Sequence, residues 1–408
     1  MRIILIIVIS LISFCNFSFS EEKLLPNTLL EIKVIESWEP VENFKKFKEY
    51  SKKTPMKGWF KRKNEEWNCF NRIKNVDPYP KDDYSHWAWF TCQGFLHYAG
   101  TNNPKIIGDI LLSWASAKKD PMVVKRNTRN VSGYDIPSTL GTFAQFYAVW
   151  YNEINYTELE RQLVNKYIVQ KLFDQKFKVL NIGKKKCNIK KLKSVYSKNT
   201  GADNCGNIRM KVAVGEIMLG FRLEDQELLD KGHKDIYVVQ AFINKDGINI
   251  NHASRGANTV NYSWEYTGYS SILAEVYRPV GYDYFEHTFP RGAKVKDYLK
   301  FNYRLLNDFK LTAKWAKRNV GSMSNPYKKI SKLTQAEYLQ TQYAKNVYSF
   351  EHGDKEFIKA HPRFTKKYMP EVYSNVSEEE IKNFHESREG LISANKGVSS
   401  YGLYYGNN

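Results

Sequence analysis

Asn251-His252-Ala253-Ser254-Arg255-Gly256-Ala257-Asn258-Thr259-Val260-Asn261-Tyr262 is the stretch from which the rest of the chain is read. It follows a turn-forming Asn244-Lys245-Asp246-Gly247 and runs into Tyr266, Tyr269, Ile272, Leu273, Val276 and Tyr277 at helical spacing. A helix carried back through the stretch puts Arg255, Asn258 and Tyr262 at i, i+3 and i+7, on one face. A phenol in that company is a proton-transfer group, because a neighbouring cation lowers its pKa. The guanidinium and the amide can neutralise a substrate carboxylate. The competing reading is a surface Arg and Asn beside a half-buried core Tyr.

Outward from this stretch, helical periodicity dominates. Ile106, Ile107, Ile110, Leu111 and Trp114 form one stripe. Pro137-Ser138-Thr139 reads as a helix start ahead of Leu140, Phe143, Phe146, Tyr147, Trp150 and Tyr151. Leu159, Leu163, Val164, Tyr167, Ile168 and Leu172 form the next stripe, and Met210, Val214, Ile217, Met218 and Phe221 another. Further helices are expected over 297–315 and 335–348, and Ser377-Glu378-Glu379-Glu380 is a capping-box start. No alternating strand pattern competes, so the fold class is all-α. With no clear linker, residues 21–392 read as one domain, followed by a loose Gly/Ser/Asn-rich tail over 393–408. That is long for a single core, but a toroid of helical hairpins grows by repetition.

Residues 1–20 read as a secretory leader. Arg2 supplies the positive region, Ile3 to Phe14 the apolar run, and Ser18-Phe19-Ser20 a small-x-small cleavage site. The run is short for a membrane span, so a periplasmic or secreted protein without a stable membrane anchor, and a monomer, is expected. The Ile, Lys, Asn and Tyr usage points to an AT-rich bacterial genome. The formal net charge is +19, one less once Arg2 is removed. Such a field attracts polyanions. No nucleic-acid motif is present, and in an exported protein an acidic polysaccharide is the fitting partner. Lysine-biased composition accounts for the charge equally well. Besides Cys15 in the leader, Cys69, Cys92, Cys187 and Cys205 remain, an even set that reads as two disulfides. Sequence order favours Cys69–Cys92 and Cys187–Cys205 among three connectivities, the second bracketing a Lys- and Asn-rich insertion. No CxxC, HExxH or His cluster appears, so neither metal nor cofactor is expected. Trp59, Trp67, Trp87 and Trp89 fit either a sugar-binding surface or an ordinary core.

From Gly206 to Val276 the chain resembles the helical alginate lyases, mannuronate-specific polysaccharide lyases with an (α/α) toroid or incomplete-barrel fold. Gly206-Asn207-Ile208 stands at the family's Asn-Asn-His motif, which opens a helix, and Leu228-Leu229-Asp230 at its helix end. Asp246-Gly247 matches the following turn, Arg255 the arginine, and Tyr262 the tyrosine seven residues on. Cys205 matches a disulfide-pinned loop. The resemblance implies β-elimination on a uronate polymer, with Asn207 and Arg255 neutralising the sugar carboxylate and Tyr262 as base, acid or both. Ile208 departs from the pattern, since it cannot carry a proton where the family has histidine. His252 is the candidate replacement, and Arg209 and Asn258 are candidate substrate contacts. Two alternatives stay open: a non-catalytic acidic-polysaccharide binder on the same fold, and a toroid glycoside hydrolase using Glu216, Glu265 or Glu275.

Overall fold

The computed structural model describes residues 24–39, 74, 103–117, 135–174, 189–190, 205–254, 256, 259–316 and 353–386. The leader, the tryptophans at 59, 67, 87 and 89, the helix expected over 335–348 and the tail lie outside the described residues. The fold is all-α. Among the described residues the extended pairing is confined to isolated bridges.

In chain order the helices are α1 (Lys105–Ala115), α2 (Asp135–Trp150), α3 (Glu158–Asp174), α4 (Asn207–Arg222), α5 (Gln226–Gln240), α6 (Ile250–Ala253) and α7 (Thr259–Val276). They continue with α8 (Val295–Asn307), α9 (Gly353–Ala360), α10 (Pro362–Tyr368), α11 (Pro370–Tyr373) and α12 (Glu378–Glu386). The central element is α4. Met210, Val212, Ala213, Val214, Ile217, Met218, Leu219 and Phe221 are all buried, so it is apolar nearly all round and must be enclosed. It packs on α2, α5 and α7. Glycine permits the closeness: a Cβ on Gly215 would stand 2.7 Å from the Gly141 carbonyl oxygen of α2, and one on Gly220 would stand 2.7 Å from the Leu229 nitrogen of α5.

The connection between α4 and α5 is short because Glu224 takes a left-handed φ of 54° and Asp225 caps α5, accepting from the Leu228 N–H at 3.0 Å. Leu228-Leu229-Asp230 therefore lies in the first turn of α5 and not at the end of α4, as expected from the resemblance. After α5 the chain turns through Asn244 to Gly247. The Asn244 side chain accepts from the N–H groups of Asp246 (3.0 Å) and Ile248 (2.9 Å), and Gly247 sits at φ 77°. An equivalent turn precedes α8, with a bridge Thr288↔Lys294 matching Ile243↔Asn249 and Gly292 at φ 94° matching Gly247. The spacing within the two turns is identical, so α6 and α8 are launched by one repeated device.

Several boundaries differ from the sequence expectation. α2 begins at Asp135, ahead of Pro137. α3 buries Val164, Ile168 and Leu172, one residue per turn, whereas Leu159 is 79% and Leu163 41% exposed. The helix expected over 297–315 ends at Asn307 and continues as a 3-10 segment, Phe309–Trp315. The capping box of α12 forms as expected, Ser377 N donating to Glu380 Oε2 (2.9 Å) and Glu380 N to Ser377 Oγ (3.1 Å).

A strap with no periodic signal in the sequence, residues 24–39, crosses α5 and the end of α7. Asn27 Nδ2 donates to the His233 carbonyl (2.9 Å), Trp38 Nε1 to the Val276 carbonyl (3.1 Å), and Arg222 grips Glu39 with two bonds of 2.8 and 3.0 Å.

Candidate functional site

The stretch that opened the sequence reading is not one helix. α6 ends at Ala253, Gly256 stands at φ 63°, and α7 starts at Thr259. A right-handed helix cannot pass through a left-handed residue. Arg255 thus precedes the break and Tyr262 follows it, and the single-face reading of Arg255, Asn258 and Tyr262 gives way to a turn feeding a helix. Arg255 and Asn258 themselves lie outside the described residues. The Thr259 hydroxyl ties the turn down, standing 2.5 Å from the Gly256 carbonyl and 3.0 Å from the His252 carbonyl. On the other side, the Asn249 side chain caps α6 by accepting from the His252 N–H at 3.2 Å.

Tyr262 is half-buried in the first turn of α7. Its ring lies 5.8 Å from that of His252, tilted by 33°. His252 is fully buried and also meets Tyr266 edge-on at 5.7 Å. His252 therefore sits behind Tyr262, without solvent contact, and not beside it on an accessible surface. That placement corrects the expectation that it takes the place of the family's histidine in front of a substrate. Tyr266 is one turn below Tyr262 on α7, also fully buried, and burial holds its phenol well above the usual range.

Asn207 and Ile208 occupy the first turn of α4, behind Gly206. Their side chains lie outside the described residues. Cys205, just before them, is buried. Cys69, Cys92 and Cys187 lie outside the described residues, and so does the expected pairing.

Arg209 is mostly buried and directed at α5, its Nε 3.7 Å from Asp235 Oδ1. Arg209, expected as a substrate contact, is thus placed in a helix–helix contact. It joins a cluster that the sequence reading missed. Glu216 on α4 is wholly buried and bonded to Lys231 of α5, whose ammonium also reaches Asp235 Oδ2 at 2.9 Å. Burial pushes the Glu216 carboxyl well up, aided by the nearby Asp235 charge, and Lys231 pulls it back. Desolvation lowers the Arg209 pKa, with Asp235 and Glu216 opposing it. The signal was present: Arg209 and Glu216 are seven apart on α4, and Lys231 and Asp235 four apart on α5.

Glu275, a hydrolase candidate, is also buried. It is held by Arg363 and by Arg278 (Nε to Oε2, 3.2 Å). Glu216 and Glu275 are thus internal ion-pair members and not carboxylates facing across an open space. Among the described residues no group of three or more His, Cys, Asp or Glu is placed to hold a metal ion, and no helix is long and apolar enough to cross a membrane.

No family model matches the chain, and no match is found among curated proteins. Solved structures do match. A tyrosine-to-phenylalanine variant of alginate lyase A1-III complexed with tetrasaccharide aligns over 96% of this chain and 100% of its own, with 14% identity and a TM-score of 0.50. A structure of alginate lyase A1-III from Sphingomonas species A1 aligns over 82% of this chain and 92% of its own, with 14% identity and a TM-score of 0.45. At such identity the likeness establishes the fold. This chain has the helical-toroid architecture of the alginate lyases.

Proposed function

We propose that the protein is an exported polysaccharide lyase that cleaves an anionic uronate polymer of the alginate type by β-elimination. The observation that carries the reading is Tyr262: a half-buried phenol at the head of α7, seven positions after Arg255 in the sequence, on the alginate-lyase fold. That alginate lyase A1-III variant is complexed with a tetrasaccharide, which supports an oligosaccharide as ligand.

In this reading the Tyr262 oxygen removes the C5 proton of the uronate. The C5–H electron pair forms the C4–C5 double bond, the C4–O bond breaks, and the departing oxygen takes a proton from the same phenol. Asn207 and the Arg255 guanidinium neutralise the sugar carboxylate, on which charge builds as the proton leaves. A base and acid that are one group demand that H5 and O4 lie on the same ring face. β-D-Mannuronate and β-D-glucuronate meet that demand, while α-L-guluronate presents the two on opposite faces. Ile208, which carries no proton, fits a mechanism in which the phenol makes both transfers. The leader over 1–20 supports export, and a Cys187–Cys205 bridge would pin the loop ahead of Asn207.

The test is the absorbance of the unsaturated product when the mature protein meets polymannuronate, polyglucuronate or polyguluronate. Turnover of either of the first two supports the reading, and a flat trace on all three with the fold intact rejects it. Ile208 also favours a second reading, an acidic-polysaccharide binder without turnover. Oligosaccharide binding by calorimetry together with a flat trace would select it.

A further inference from the structure

We infer that His252 is the positioning residue for Tyr262, acting through ring packing and not through proton transfer. The inference rests on the lyase reading for its consequence, but the geometry stands apart from it. Four rings form a column running outward from the core. Tyr298 meets Tyr266 edge-on at 5.2 Å, Tyr266 meets His252 at 5.7 Å, and His252 meets Tyr262 at 5.8 Å. The first three rings are fully buried and Tyr262 alone is half-exposed.

The column is anchored at each level. The Tyr298 hydroxyl points at the Ser263 carbonyl (3.4 Å), in the same helix turn as Tyr262. Tyr266 is i+4 from Tyr262, so the two rings lie one above the other on α7. His252 enters from α6, outside that helix. Its N–H is held by the Asn249 side chain and its carbonyl by the Thr259 hydroxyl. Its ring therefore has fixed backing on both sides of the Gly256 break. His252 supplies a flat face against which the half-exposed Tyr262 ring rests, which restricts its χ angles. With no solvent contact, the imidazole has no direct path to a sugar. What His252 presents to Tyr262 is a ring face.

The test uses the full mature chain and the variants H252F, H252A and H252L. Activity on polymannuronate and polyglucuronate is measured as kcat, KM and pH profile. The phenylalanine ring keeps the packing face, so H252F should hold kcat within about tenfold of wild type. H252A should lose about 100-fold in kcat, with KM and the pH profile unmoved, because a shift of about 1 Å in a reacting group costs that much. H252L takes the place of H252A if the alanine variant does not fold. A folded H252F that falls as far as H252A, or an H252A with wild-type kcat, overturns the inference. A second readout separates this from the lyase reading. Tyrosine labelled with 13C, with the Tyr262 signal assigned by Y262F, reports ring flipping without any substrate. Slow flips in wild type and H252F with fast flips in H252A support the inference even if no polymer is cleaved, and equal flip rates in all three refute it.

Discussion

Replacing Lys231 by methionine is the sharpest test of how the two central helices are held. Lys231 of α5 neutralises two carboxylates at once, the fully buried Glu216 of α4 and Asp235 one turn away, at 2.9 Å. Methionine keeps most of the side-chain volume, so packing changes little and the lost charge is isolated. Breaking a buried pair from one side costs about 3–5 kcal/mol, because the other charge stays desolvated and alone. K231M should therefore lose that much in urea unfolding. The loss should also depend on pH. Burial already pushes the Glu216 carboxyl above its ordinary 4.5, and removing Lys231, which lowers it, pushes it further up. A carboxyl whose folded pKa lies above its unfolded one contributes its full stability below about pH 4.5 and loses it as pH rises toward the folded value. The difference between K231M and wild type should accordingly be smallest where Glu216 is protonated in both, and widen at up to about 1.4 kcal/mol per pH unit once pH passes the raised wild-type value. The double variant E216Q/K231M removes both buried charges and should recover more than about 1 kcal/mol of the single-variant loss at pH 8. A K231M loss under about 1 kcal/mol at pH 8, or one independent of pH, would refute the reasoning.

Three other outcomes are expected. Y262F should abolish product absorbance on polymannuronate and polyglucuronate while leaving the circular dichroism unchanged, and the wild type should leave polyguluronate intact; residual Y262F turnover near wild type would remove the phenol from the chemistry. G215V should destabilise by at least about 1–3 kcal/mol, since even its Cβ would stand 2.7 Å from the Gly141 carbonyl oxygen, and a wild-type melting temperature would contradict that contact. Burial depresses His287 to about 4, where its ring accepts from Tyr282 at Nδ1 and donates to Gln240 at Nε2. Its folded pKa lies below the ordinary 6.5, so its contribution of about 3 kcal/mol is full above pH 6.5 and lost as pH falls through 4; replacing it with phenylalanine should flatten that part of the acid unfolding curve, and an unchanged curve would count against a buried neutral imidazole.

The helices themselves were legible in the chain. The stripes at Ile107, Ile110 and Trp114, at Val164, Ile168 and Leu172, and at Met210, Val214 and Ile217 recur every three to four residues because helix geometry is local. The turn at Asn244 to Gly247 was legible for the same reason, as its side-chain acceptor and its left-handed glycine lie within one short segment. Charge pairs within α5 were legible in principle, but their partner carboxylate comes from α4.

Periodicity, turn chemistry and the order of motif residues thus follow from the sequence alone, because each depends on neighbours a few positions away. Tertiary structure decided the rest. The left-handed Gly256 separates Arg255 from the helix of Tyr262, and Arg209 turns toward Asp235. His252 is enclosed between Tyr262 and Tyr266. Whether a histidine meets solvent or backs a tyrosine depends on which helices close over it, and those helices are brought together by burial of apolar surface from distant parts of the chain.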